Sequence, residues 1–104
     1  MSLLHITADN FEELVMNNEK TVLLDFYADW CGPCRMVAPL VEQIANEHPE
    51  YTVGKINVDN DPDLARKYEV ASIPTLIVVK NGKTVSVTVG ARPKDQILTL
   101  LEQA

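Results

Sequence analysis

Apolar residues recur along the chain with two different periods. From Val22 to Ala28 they are nearly continuous, as in a strand with both sheet faces covered. Val37, Leu40, Val41, Ile44 and Ala45 fall at i, i+3, i+4, i+7 and i+8, one stripe of an amphipathic helix. Thr52–Val58 reads as a second strand, so strand, helix and strand form a βαβ unit with parallel strands and a right-handed crossover. Upstream, Leu3–Ile6 reads as a short strand. Phe11, Leu14 and Val15 follow at helical spacing, behind Thr7 or Asp9 as N-cap. Downstream, Asp61-Pro62 opens a short helix with the acid at the cap and proline at its first position. Arg66-Lys67 lie toward its end, where the helix dipole favours cations. Leu76–Lys80 and Val85–Val89 flank Asn81-Gly82, the sequence signal of a tight hairpin. Thr84, Ser86 and Thr88 alternate with Val85, Val87 and Val89, so this last strand is expected to bury one face only. Pro93 starts a final helix carrying Ile97, Leu98, Leu100 and Leu101, and Pro39 predicts a kink in the long helix. The expected fold is α/β: a central five-stranded mixed sheet flanked by four helices on both faces. With no repeat or low-complexity tract, residues 1–104 are expected to form a single domain.

Composition narrows the functional classes. The net charge is −6, from 9 basic and 15 acidic residues. A surface that acidic repels phosphate backbones and anionic lipid, which argues against nucleic-acid and membrane partners. No apolar run approaches the ~20 residues of a membrane span. Met1-Ser2-Leu3-Leu4-His5 lacks the basic segment and long apolar stretch of a secretory signal, so a cytoplasmic location is expected.

The chain has two cysteines, Cys31 and Cys34. In a reducing compartment a close pair points to redox chemistry or to metal. The pair lies between the strand ending near Ala28 and the helix that follows, and chemistry in open α/β sheets gathers beyond the carboxyl ends of strands. Thiol chemistry needs the thiolate, and Cys31 stands where unpaired N–H groups and the positive end of the helix dipole favour an anion. Cys34 is one turn further on, close enough to attack a mixed disulfide at Cys31. Gly32 lets the chain turn into the helix, and Pro33 presets a helical φ. The alternatives are half a zinc site and an inert structural pair. Structural zinc wants four ligands, and His5 and His48 form no finger-like spacing with the cysteines. Asp59-Asn60-Asp61-Pro62-Asp63 briefly follows a calcium loop. Leu64 stands where that loop needs glycine and Val70 where it needs glutamate.

Asp25 is the one charge inside Val22–Ala28. A carboxylate there is largely desolvated, which raises its pKa toward neutrality and suits it to exchange protons with the dithiol. The alternative, compatible with the first, is a structural carboxylate paired with Lys55 on the neighbouring strand. Lys55 is either a tuning charge for Asp25 or an ordinary exposed or paired lysine.

The segment Asp25-Phe26-Tyr27-Ala28-Asp29-Trp30-Cys31-Gly32-Pro33-Cys34 closely resembles the active-site segment of the thioredoxin family. Ile73-Pro74-Thr75, Asn81-Gly82 and Gly90 fall where that family places its other signatures, and the likeness spans essentially the whole chain. The Gly-Pro pair resembles reducing members; Tyr27 departs from the tryptophan common in bacterial ones. The resemblance implies a thioredoxin fold and a general protein-disulfide reductase. In it Cys31 attacks, Cys34 resolves and Asp25 accepts the proton of Cys34, with no bound cofactor or metal. It also implies a cis Pro74 against the dithiol, and an Ile73 backbone free to pair with an extended substrate as an added strand. Trp30, Gly32, Pro33, Ile73, Pro74, Gly90 and Ala91 would then form an apolar rim around Cys31. The implied partners are disulfide-containing proteins and a flavin- and NADPH-dependent thioredoxin reductase, and a monomer is expected. Two rivals are a binding module that uses the rim alone and an oxidant or isomerase of the same fold.

Overall fold

The computed structural model describes residues 2–104. Its strands are β1 (Leu3–His5), β2 (Thr21–Tyr27), β3 (Tyr51–Asn57), β4 (Thr75–Lys80) and β5 (Lys83–Val89). Its α-helices are α1 (Gly32–Glu47), α2 (Pro62–Lys67) and α3 (Lys94–Glu102). One sheet runs in the order β1-β3-β2-β4-β5. β3 pairs parallel with β1 and β2, whereas β2–β4 and β4–β5 are antiparallel. The expected mixed sheet with helices on both faces is thus the observed one, with elements shifted by a residue or so at their ends.

The period of two along β2 divides the core. Val22, Leu24 and Phe26 point to one face and pack with Phe11, Val15 and Leu64. Leu23 points to the other, where Val37, Val41 and Ile44 of α1 meet Ile97 and Leu101 of α3. Asp25 and Tyr27 continue the Leu23 row, and Lys55 continues the row of Val53 on β3. All three therefore lie on the face covered by α1.

Three expectations are corrected. Phe11–Val15 does not open an α-helix: Glu12–Met16 is one π-type turn, closed by the Asn17 N–H on the Glu12 carbonyl. Neither Thr7 nor Asp9 caps it. Asn10 instead accepts the Thr7 N–H through Oδ1 and donates to the His5 carbonyl, because a short polar amide satisfies the loop from within. Asp61 precedes α2 as expected, but its carboxylate accepts from the Ala8 N–H at 3.1 Å rather than capping its own helix. On β5 a register shift at Val78/Val79 sets the exposed Thr84 apart from Ser86 and Thr88, and the half-buried residues of the strand are the polar ones. Ser86 and Thr88 lie opposite Val78 and Leu76 beneath α1 and α3, while Val85, Val87 and Val89 are 50–55% exposed. β5 is an edge strand, so its valine row lies at the margin of that sheet face.

The hairpin forms where the sequence signals it. Asn81 and Gly82 have φ of 53° and 76°, the left-handed pair of a type I′ turn. α1 runs through Pro39, which lies on its solvent side. Among the described residues no helix is long and apolar enough to cross a membrane.

Candidate active site

The loop after β2 delivers the dithiol to the carboxyl end of the sheet. The Cys31 N–H bonds the Ala28 carbonyl at 3.2 Å, turning the chain off the strand. Cys31 has extended backbone (φ −90°, ψ 112°) and occupies the N-cap of α1, with Pro33 in the first turn. Its sulfur accepts the Cys34 N–H at 3.2 Å. The place usually filled by a serine or aspartate oxygen is thus held by sulfur, beside the positive end of a sixteen-residue helix. Cys31 and Cys34 are joined by a disulfide, with their Cα atoms 5.3 Å apart. Both residues are nearly covered, 5% and 3% exposed.

The rim around Cys31 comes from separate loops. The Ile73–Pro74 peptide is cis, and the Ile73 carbonyl oxygen lies 3.8 Å from the Cys31 sulfur. Pro74 is buried, and its carbonyl accepts the Gly90 N–H at 2.8 Å, which ties the end of β5 to the loop before β4. Gly90 sits at φ +94°, a conformation open to glycine. Trp30 is 68% exposed, so it is not a core aromatic. Its indole N–H donates to Asp59 at 2.9 Å. Gly32, Pro33 and Ala91 are exposed, and Ile73 is half-buried against Ala28 and the two cysteines.

Behind Cys34 the surroundings change character. A cleft of about 190 Å³ is lined by Asp25, Tyr27, Ala28, Asp29, Cys34, Arg35, Ala38 and Lys55. Asp25 is 3% exposed, and its Oδ1 makes no hydrogen bond to the protein. Burial pushes its carboxyl up from the ordinary 3.8 to about 6, against the opposing pull of the Lys55 ammonium. Asp25 and Lys55 face each other in register across β2 and β3, yet they do not form an ion pair. The lysine and arginine ion pairs among the described residues are Arg66–Asp63 and Lys94–Glu47. The Lys55 ammonium lies instead over the Tyr27 ring, 4.3 Å from its centroid.

A cysteine pair at a helix N-terminus, the carbonyl before a cis proline beside it and a buried carboxyl in the adjoining cleft fit a thiol–disulfide exchange centre. The thioredoxin family model matches residues 2–103. The chain belongs to the thioredoxin family. It is 44% identical over 104 residues to a thioredoxin of Pyropia yezoensis, an alignment covering 99% of this chain and 97% of the other. Against a thioredoxin of Streptomyces clavuligerus the identity is 47% over 96 residues, covering 92% and 90%. A solved structure of a mutant thioredoxin from Halobacterium salinarum NRC-1 superposes with a TM-score of 0.91 at 37% identity, covering 98% of this chain and 89% of that one. As a family member the chain is a protein-disulfide oxidoreductase, and its redox pair is Cys31–Cys34. The family implies disulfide-containing substrates and a reductase partner.

Two further residues near the site lie outside the set that the sequence pattern assigned to it. Asp59, weighed in sequence only as a calcium ligand, holds Trp30; its position just past the end of β3 is where strand-end chemistry would have directed attention. Met36 is 70% exposed and lines, with Ala91 and Arg92, an apolar groove of about 280 Å³ beside the rim.

Proposed function

We propose that this thioredoxin-family chain is a general cytoplasmic protein-disulfide reductase that works as a monomer through two successive exchanges. The Cys31 thiolate attacks one sulfur of a substrate disulfide; a Cys31–substrate bond forms, the substrate S–S bond breaks, and one substrate thiolate leaves. Cys34 then loses its proton to Asp25, and its thiolate attacks the Cys31 sulfur. The mixed disulfide breaks, the second substrate thiolate leaves, and Cys31–Cys34 is bridged. Each released thiolate takes up a proton, so two electrons and two protons have passed to the substrate. A flavin- and NADPH-dependent thioredoxin reductase returns two electrons to the bridge. The chain itself needs no resident cofactor.

The observation that carries this reading is Cys31 as the N-cap of α1, its sulfur on the Cys34 N–H. That N–H and the helix dipole stabilise negative charge on Cys31 in particular, which makes it the attacking thiol. Around it, Trp30, Gly32, Pro33, Ile73, Pro74, Gly90 and Ala91 serve as the substrate rim, and the free Ile73 backbone pairs with an extended substrate segment. Contact through backbone and apolar area makes the substrates many.

The test is the equilibrium reduction potential of Cys31–Cys34, read by thiol alkylation and mass shift across defined dithiol–disulfide buffers. The reductase reading expects a value near the ~−270 mV characteristic of thioredoxins, a reference value of the family rather than one read from this geometry. A value of ~−180 to −120 mV would make the protein an isomerase or oxidant. The absence of any reversible couple would leave only a binding module.

A further inference from the structure

The Lys55 side chain has two partners within its reach and has taken the less obvious one. Register sets Lys55 directly opposite Asp25, and the period of two puts Tyr27 on the same sheet face. A lysine stem spans to either group. The ammonium sits over the Tyr27 ring at 4.3 Å, while Asp25, which lines the same cleft as Lys55 and Tyr27, has a buried Oδ1 without a hydrogen-bond partner in the protein. A cation–π contact at a half-buried position keeps the ammonium partly solvated, whereas an ion pair with the buried Asp25 carboxyl would cost desolvation of both charges, so the ring is able to compete with the carboxyl for the charge.

We propose that Tyr27 is a positioning residue: its ring holds the Lys55 ammonium off the Asp25 carboxyl, and so keeps that carboxyl a strong enough proton acceptor for Cys34. The proposal rests on the assignment of Asp25 as the proton acceptor and adds what tunes it. Without the ring the ammonium closes on Oδ1, the ionised carboxylate is stabilised, and its affinity for a proton falls. The other groups facing Asp25 are few. Asp29 and Arg35 line the cleft from the β2–α1 loop and α1, Cys34 faces it from α1, and β4 offers the apolar Leu76 opposite. Lys55 is thus the one cation that a lost ring would release inside the β2–β3 pair.

The proposal is tested by titrating the Asp25 side-chain carboxyl by carbon-13 NMR in the disulfide form, where Cys31 and Cys34 do not titrate. Tyr27→Leu is expected to lower the midpoint by about one pH unit, the size of effect of a newly adjacent opposite charge. Tyr27→Met, which keeps bulk without a π face, is expected to do the same and serves if the leucine variant does not fold. Tyr27→Phe keeps the ring and the wild-type midpoint. Lys55→Met raises the midpoint, and adding Tyr27→Leu to it then changes nothing. An unchanged or raised midpoint in both Tyr27→Leu and Tyr27→Met overturns the proposal. So does an equal fall in the Lys55→Met background, which would make Tyr27 a matter of burial alone. The titration needs no turnover, so its failure is separate from a failure of the exchange reading, which the reduction potential tests.

Discussion

The two cysteines are three residues apart and almost equally covered, yet they belong to different chemical environments. Cys31 caps a helix, with one backbone N–H on its sulfur and an exposed rim of tryptophan, glycine and proline around it. Cys34 faces inward to a cleft containing a buried carboxyl and a lysine held by an aromatic ring. One sulfur lies beside the fixed dipoles of a helix N-terminus, at the edge of the exposed rim. The other lines the cleft that holds the buried carboxyl. Coverage alone does not distinguish the two sulfurs; the groups around them do, and the proposed roles of attacking and resolving thiol rest on that difference.

This contrast can be broken most completely at the outer sulfur. Cys31→Ser is expected to abolish disulfide reduction altogether, with no substrate adduct visible by mass spectrometry. Detectable adducts on Cys34 in that variant would show that the two environments are interchangeable. Cys34→Ser should leave the first attack intact and trap about one equivalent of substrate as a mixed disulfide at Cys31. Free release of reduced substrate from Cys34→Ser would remove its resolving role.

Asp25→Asn acts on the inner side only. It is expected to slow resolution on the order of 10²-fold, the lower range for loss of general acid–base assistance, while the first attack keeps its rate. Stopped-flow kinetics that separate the two steps would check this. The same residue predicts a pH dependence of stability. Its folded pKa of about 6 lies above its ordinary 3.8, so the folded state holds the proton more tightly than the unfolded one. Stability from this group is therefore full below about pH 4, falls as pH rises toward 6 and levels off above. The loss amounts to about 3 kcal/mol as an upper figure. Urea unfolding of the disulfide form at pH 4 and pH 7.5 should show it, and Asp25→Asn should lack it.

The smallest expected effect sharpens the outer side. Asp59→Ala removes the acceptor of the Trp30 indole N–H at an exposed position, a change of about 0.5 kcal/mol in stability. It should raise the KM for a protein disulfide by about twofold, the same small energy read as binding, and leave resolution by Cys34 untouched. An equal effect on the resolving step would join the two environments that the structure separates.

The parts of this fold with strong local signals were legible without coordinates. The apolar run of β2, the helical stripe of α1, the Asn81-Gly82 turn and the Cys31-Gly32-Pro33-Cys34 spacing each have local physical causes, and each stands where its pattern points. Where several loops meet, local pattern was a poor guide. The polarity of β5 suggested nothing of its edge position, and the valine face is the more exposed one. Asp61 looked like a cap and instead holds Ala8 from a distant loop. A structural pair of Asp25 and Lys55 was one of two readings open from sequence, and the ammonium lies instead over the Tyr27 ring.

By itself the sequence determined the strand and helix order, the burial of Asp25 within a strand, and the helix-start position of Cys31, because periodicity, turn chemistry and cap geometry act within a few residues. Only the tertiary structure decided that the Ile73 carbonyl of the cis Ile73–Pro74 peptide lies by the Cys31 sulfur, that Asp59 holds Trp30, and that the Lys55 ammonium lies over the Tyr27 ring. These contacts join segments far apart in the chain or choose between two partners in reach. Such choices depend on sheet register, on which face α1 covers and on the competition between neighbouring groups, none of which is written in any one stretch of residues.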